Sequence, residues 1–331
     1  MQSVDDLISS IMHERQIPGL ALAVVADGAL THMAGYGVAS LELDAPVTPE
    51  TMFQSASVGK QFTAAAIMLL VEDGLLALDA PLTEYLGLAE QPWASITLRH
   101  LLTHTSGVAD YLAAIDWRRD YTDAELLSGI AALPPLAAPG VAWRYSNTGY
   151  LLLGLVIQAT SGRPYGDLLA ERIFGPLGMV SARVNSLSAI IPQRAQGYEL
   201  VDGRHQHPAW VSPTLSATAD GSLQLSLRDL LAWDAALSAG RVLQPASMVQ
   251  CWSPVQLNAG ASYPYGFGWF IGSAPGRRLV EHEGHWQGFN THILRHLDWR
   301  LSVIVLANLS TAQAKPIAHQ VAALFLPADD R

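Results

Sequence analysis

Segments patterned for β-strands lie at the two ends of this chain, with a long and mostly helical stretch between them. Residues 20–26 and 30–38 are apolar or β-prone runs around Asp27-Gly28, a pair suited to the positive φ of a tight hairpin turn. At the far end, 265–272, 278–282, 289–296 and 300–307 read as strands, with turns at Pro275-Gly276 and Leu297-Asp298. The two ends are therefore expected to join in one sheet, and whatever lies between them is an insertion into it.

Leu7, Ile8, Ile11 and Met12 recur at helical spacing, which predicts a helix over Val4–Arg15 that stops at Pro18-Gly19. A closing helix is expected over 311–325. The middle predicts helices at 58–73, 97–103, 123–132, 147–161, 165–172 and 226–238, joined by Pro- and Gly-rich connections such as Leu133-Pro134-Pro135. No repeat, low-complexity tract or flexible linker divides the chain. The expected fold class is α/β of the α+β kind: an antiparallel sheet flanked by helices, with an inserted all-helical subdomain. One domain over 1–331 is expected, its α/β part near 1–75 and 240–331 and its helical part near 76–239.

Half of the 331 residues are hydrophobic and 15% are charged, enough for a large core without disulfides or metals. A net charge of -10 repels nucleic acid and anionic membranes, so the expected partner is a small molecule. The single cysteine, Cys251, beside Trp252, reads as a buried structural thiol. The apolar runs fall short of the roughly 20 residues of a membrane span. The acidic start, MQSVDDLISS, lacks a secretory pattern, so a cytoplasmic location is expected, or a periplasmic one where a signal has been removed.

Three short motifs carry chemistry. Ser57-Val58-Gly59-Lys60 opens a predicted helix, and a spacing of three sets both side chains on one helical face. A serine hydroxyl is a weak nucleophile until a base takes its proton. Lysine can be that base when burial lowers its pKa, and arginine cannot. The chain has only two lysines, Lys60 and Lys315, and one stands where only lysine serves. Against this, a capping serine followed by an incidental lysine also fits the four residues.

Tyr145-Ser146-Asn147 lies where a loop enters a long apolar helix. A tyrosine there can move a proton and Asn147 can orient a carbonyl, although a helix N-cap with a packed aromatic reads equally well. His282-Glu283-Gly284-His285-Trp286 sits at the edge of the C-terminal strands, where Gly284 would let a substrate approach a free backbone N–H. The zinc-protease pattern needs its histidines four apart on a helix; here they are three apart in a strand-like stretch, so no metal is expected. No Gly-x-Ser-x-Gly elbow, phosphate loop or dinucleotide fingerprint occurs, and no cofactor is implied.

The order Ser57-x-x-Lys60, Tyr145-x-Asn147, His282-x-Gly284 resembles the three active-site motifs of the serine β-lactamase and penicillin-binding protein superfamily. It is most similar to the class C β-lactamase-like branch, with its carboxylesterases, D-aminopeptidases and DD-peptidases. Ile96 to Gly107, Tyr145 to Tyr150 and Phe174 to Met179 resemble further hallmarks, so the likeness covers nearly the whole chain. It implies the β-lactamase-like fold, with the site between sheet and helical subdomain. It also implies that Ser57 attacks, that Lys60 and Tyr145 transfer protons, and that Asn147 contacts substrate. The backbone N–H groups of Ser57 and His285 would form the oxyanion hole, and His282, Gly284, His285 and Trp286 would border the substrate.

His282 departs from the lysine that many of these enzymes carry, and a neutral imidazole holds a carboxylate less well than a fixed cation. With the aromatic candidates Tyr111, Trp143 and Trp286, this leads to the expectation of a carboxylesterase acting on short-chain or small neutral esters. The alternatives are a D-amino-acid peptidase or amidase, a β-lactamase, or a non-catalytic ligand-binding homologue.

Overall fold

Asp27 and Gly28 adopt φ of 51° and 76°, the left-handed pair that a two-residue hairpin turn requires. In the computed structural model, which describes residues 3–88, 93–274 and 277–327, helix α1 (Val4–Arg15) leads into the two strands of that hairpin, β1 (Gly19–Ala26) and β2 (Ala29–Ser40). A short β3 (Ala45–Pro46) follows. The principal helices of the middle are α2 (Lys60–Glu72), α3 (Asn147–Ser161) and α4 (Leu227–Ser238). Strands β4 (Phe270–Ala274), β5 (Arg277–Trp286), β6 (Phe289–His296) and β7 (Leu301–Ala307) come next, and α5 (Ala314–Ala323) closes the chain.

The two ends do share one sheet, of order β4-β5-β6-β7-β1-β2-β3, with every neighbouring pair antiparallel. Because side chains alternate across a strand, β1 and β7 serve two cores. Leu20, Leu22, Val24, Val303 and Val305 point toward α1 and α5, where Ile8, Ile11, Ile317 and Val321 bury themselves. Ala21 and Ala23 face the inserted helices, opposite the larger Leu306 and Ile304, so small and large side chains interlock. With both faces covered, these strands read as continuous apolar runs. Helix α2 is buried almost all round, from Phe62 through Leu70, and forms the pillar between sheet and insertion.

One buried ion pair ties the insertion to the sheet. Arg295 Nε on β6 donates to Asp234 Oδ1 on α4 at 2.7 Å, with both side chains almost wholly buried. Asp234→Ala would leave that guanidinium without its counter-charge, and a stability loss of about 3–5 kcal/mol is expected in urea unfolding.

The structure corrects several expectations. The stretch expected as a strand over 265–272 is a loop up to Trp269, because Gly268, at φ 75°, passes so close to α2 that a Cβ would lie 2.9 Å from the Lys60 carbonyl oxygen. Strand β5 runs on to Trp286, so the third motif lies inside a strand. A three-stranded sheet of Phe53–Gln54, Leu223–Leu225 and Arg183–Val184 was not expected, its strands being too short to show alternation. The Pro275-Gly276 turn lies outside the described residues. Among the described residues no helix is long and apolar enough to cross a membrane.

Candidate active site

Three chain segments meet at Ser57. The serine lies on a 3-10 turn, Ala56–Gly59, that runs directly into α2. The turn is held by the short sheet, in which the Ser55 N–H donates to the Leu223 carbonyl at 2.8 Å. Ala56 takes a left-handed φ of 46°, and Gly221 passes over it so closely that a Cβ there would meet the Ala56 carbonyl at 2.7 Å. The strand Leu223–Leu225 therefore brings Asp220 and Gly221 onto the Ser57 turn from far along the chain.

The Lys60 side chain is fully buried. Its Nζ donates to Ser57 Oγ at 3.0 Å, to Asn147 Oδ1 at 2.8 Å and to the Asp220 carbonyl. Burial disfavours the ammonium and pushes its pKa down to about 8; the nearby charges of Asp220 and Asp110 oppose this. Asn147 is itself fixed, since its backbone N–H and its Nδ2 both donate to Asp110 Oδ2, at 2.9 and 3.0 Å. Tyr145 is half-buried with its hydroxyl enclosed, and its ring lies 5.0 Å from the Lys60 ammonium. Its hydroxyl closes no hydrogen bond among the described residues, and burial holds its pKa well above the ordinary value, so it keeps its proton at rest. Ser57 is the group near enough to favour its ionisation.

The third motif divides its tasks. Gly284 lies against the Ser57 turn: a Cβ would be 2.5 Å from the Ser55 oxygen and 2.8 Å from the Ser57 nitrogen. Thr291, its partner on β6, donates to the same Ser55 oxygen at 2.7 Å. Glycine is thus required for the approach of the protein's own backbone, where the sequence suggested the approach of a substrate. His285 and Trp286 line a cleft beside Ser57 of about 70 Å³, with Ala56, Tyr111, Asn147 and Asp220 among its other walls. Trp117 from the insertion packs on Trp286, their rings 5.3 Å apart.

His282 does not line this cleft. It is buried behind Tyr145, and burial drives its pKa down to about 3, so it is neutral. A directed chain of hydrogen bonds fixes its tautomer. The Ser146 N–H donates to His104 Nδ1 (3.2 Å), which leaves Nε2–H to donate to the Tyr265 hydroxyl (3.1 Å). That hydroxyl donates to His282 Nε2 (3.0 Å), and His282 Nδ1–H donates to the Glu283 carbonyl (2.7 Å). The chain joins the second motif to the third and needs no charge. Trp143 also lies off the cleft, stacked on Tyr263 at 3.9 Å.

Two residues that the motifs did not reveal belong to the site. Asp220 is buried on the cleft wall, its carboxylate accepting from the hydroxyls of Thr218 and Tyr111. Tyr265 is the middle of the hydrogen-bond chain. Neither stands in a local pattern, and only the folded contacts single them out.

Comparison with known proteins agrees with this arrangement. The family model described as Beta-lactamase matches residues 4–325. A penicillin-binding protein of Bacillus subtilis (strain 168) is 32% identical over 324 residues, covering 91% of this chain and 70% of its own length. A D-aminopeptidase of Gluconobacter oxydans is 31% identical over 319 residues; 94% of this chain is covered, and it spans 59% of that enzyme. Among solved structures, the octameric penicillin-binding protein homologue from Pyrococcus abyssi superposes with a TM-score of 0.86 at 29% identity, over 97% of this chain and 76% of that one. The D-amino acid amidase from Ochrobactrum anthropi gives 0.83 at 26% identity, over 98% and 99%. These names favour the peptidase or amidase alternative over the carboxylesterase expected from His282. With residues 4–325 matched by the family model, the chain belongs to the beta-lactamase family and to the serine hydrolase superfamily of the penicillin-binding proteins.

Proposed function

We propose that the protein hydrolyses small amides and peptides that carry a free amino group on a D-residue, through an acyl-enzyme on Ser57. The observation that carries this reading is the charge of the cleft. Asp220 places a carboxylate on its wall, and Lys60, which reaches Ser57 Oγ and the Asp220 carbonyl from behind that wall, is neutral when it serves as the base and leaves the carboxylate to the substrate. A substrate ammonium offsets that carboxylate, while a substrate carboxylate is repelled by it and a neutral ester gains nothing from it. Burial raises the Asp220 pKa, and Lys60 and the two hydroxyl donors work against that rise. The preference for D-residues rests on the likeness to enzymes named for it. The cleft is small against the roughly 300–1,000 Å³ of ordinary ligand pockets, which favours small side chains.

In the proposed reaction, neutral Lys60 accepts the Ser57 proton as Oγ attacks the carbonyl. The Ser57 and His285 N–H groups hold the developing oxyanion, and Tyr145 passes a proton to the leaving amine and takes in its place the one that Lys60 received, which restores both groups. Water then releases the acid from Ser57.

The test is steady-state hydrolysis of D-alanine p-nitroanilide, its L-isomer, its N-acetyl derivative and p-nitrophenyl acetate. The free D-amine is expected to lead in kcat/KM. Asp220→Asn is expected to lower kcat/KM for it by ~10–100-fold with little effect on the acetylated compound, the worth of one charge-assisted contact. Equal turnover of free and acetylated amines, or a faster ester, would overturn the reading.

A further inference from the structure

On the face of β5 turned away from His282, three metal-ligating side chains converge from separate elements. Glu281 comes from β5, His292 from β6 and His319 from α5. Glu281 Oε2 lies 3.1 Å from His292 Nε2 and 2.7 Å from His319 Nε2, and the three ligand atoms lie within 4.8 Å of one another. We propose that Glu281, His292 and His319 form a binding site for Zn²⁺ or a similar transition-metal ion, distinct from the Ser57 cleft.

The donor set fits such an ion. Two imidazoles and one carboxylate are common zinc ligands, with bonds of about 2.0–2.2 Å and ligand atoms roughly 3.3 Å apart at tetrahedral angles. The two contacts of Glu281 Oε2 are close to that spacing and the histidine nitrogens lie within 4.8 Å of each other, so side-chain rotations that draw the two rings onto one ion admit it. His319 is 40% exposed, which supplies an entry path and an open fourth position for water.

His292 is buried on β6 with its Nε2 turned to Glu281 Oε2. Its Nδ1 has no hydrogen-bond partner among the described residues, so the ring proton can move there from Nε2 and free the lone pair without breaking a bond at Nδ1. Lys315 is the one fixed cation in the cluster, 2.7 Å from the other carboxylate oxygen, Oε1. It leaves Oε2 available, and at 40% exposure it can turn into solvent. A bound ion would pin α5 to the two strands behind the third motif.

The site is separate from the zinc-like run His282-Glu283-Gly284-His285, and its residues are too far apart in sequence to form a motif. Metal-stripped protein titrated with ZnCl₂ by calorimetry, with Tm measured in parallel, tests it. One ion per chain and a Tm that rises with zinc are expected. His319→Ala, a change at a partly exposed position, should weaken binding at least ~10-fold and remove the Tm rise. No binding to the wild type would overturn the proposal. So would unchanged binding to His319→Ala, which would assign the ion to other exposed imidazoles such as His205 and His207.

Discussion

Lys60→Arg is expected to lower kcat/KM for the preferred amide by ~10³-fold while leaving the protein folded. General-base assistance contributes typically ~10²–10⁴-fold, and arginine keeps the positive charge but cannot give up its proton. In the wild type, Lys60 touches Ser57 Oγ, and its pKa is pushed down to about 8 by burial. With the neutral amine as the proposed base, kcat/KM should rise as pH passes through about 8. Tyr145, held protonated by its burial, cannot supply that limb. In Lys60→Arg the limb should vanish along with most of the rate. A pH profile from 6 to 10 with both proteins decides the matter: a variant that keeps the limb would show that another group takes the serine proton. Mass spectrometry of the acyl-enzyme, with Ser57→Ala as the control, separates lost acylation from lost deacylation.

What could be read before folding was what is encoded locally. Ser57 and Lys60 share one helical turn, and Tyr145 and Asn147 share one helix entrance, so their spacing alone brings each pair to one side. The hairpin at Asp27-Gly28 and the long helices were legible for the same reason. Asp220 was not, because it reaches Lys60 across 160 residues through a sheet whose strands are two or three residues long. Tyr265 sits in a loop that resembled a strand until Gly268 is seen against the Lys60 carbonyl. His282 was legible as part of a motif, but its setting was not. Only the folded protein turns it into a buried relay of hydrogen bonds, off the cleft, and so removes it from the choice between ester and amide.

Gly284→Ala is expected to cost at least ~10²-fold in kcat, with KM changing much less. The added methyl would lie 2.5 Å from the Ser55 oxygen, 2.6 Å from Thr291 Oγ1 and 2.8 Å from the Ser57 nitrogen. Two of these three are backbone atoms that cannot turn aside, so β5 and the nucleophile turn must separate by a few tenths of an ångström or more. The same two segments carry the Ser57 and His285 N–H groups proposed for the oxyanion, and losing the alignment of one such donor costs ~10²–10³-fold. Relief by moving the turn would also disturb the Ser57 Oγ to Lys60 contact at 3.0 Å. Overpacking of this kind costs ~1–3 kcal/mol of stability, so the fold should survive with a lowered Tm. Thr291→Val separates the two effects: it removes the hydrogen bond to the Ser55 oxygen without driving the segments apart, and should lower Tm while sparing most of kcat. If Gly284→Ala kept the wild-type kcat, close seating of β5 on the nucleophile turn would not be what aligns the reaction. If its kcat fell while Thr291→Val kept most of its own, that spacing would be the property for which glycine is needed at this position.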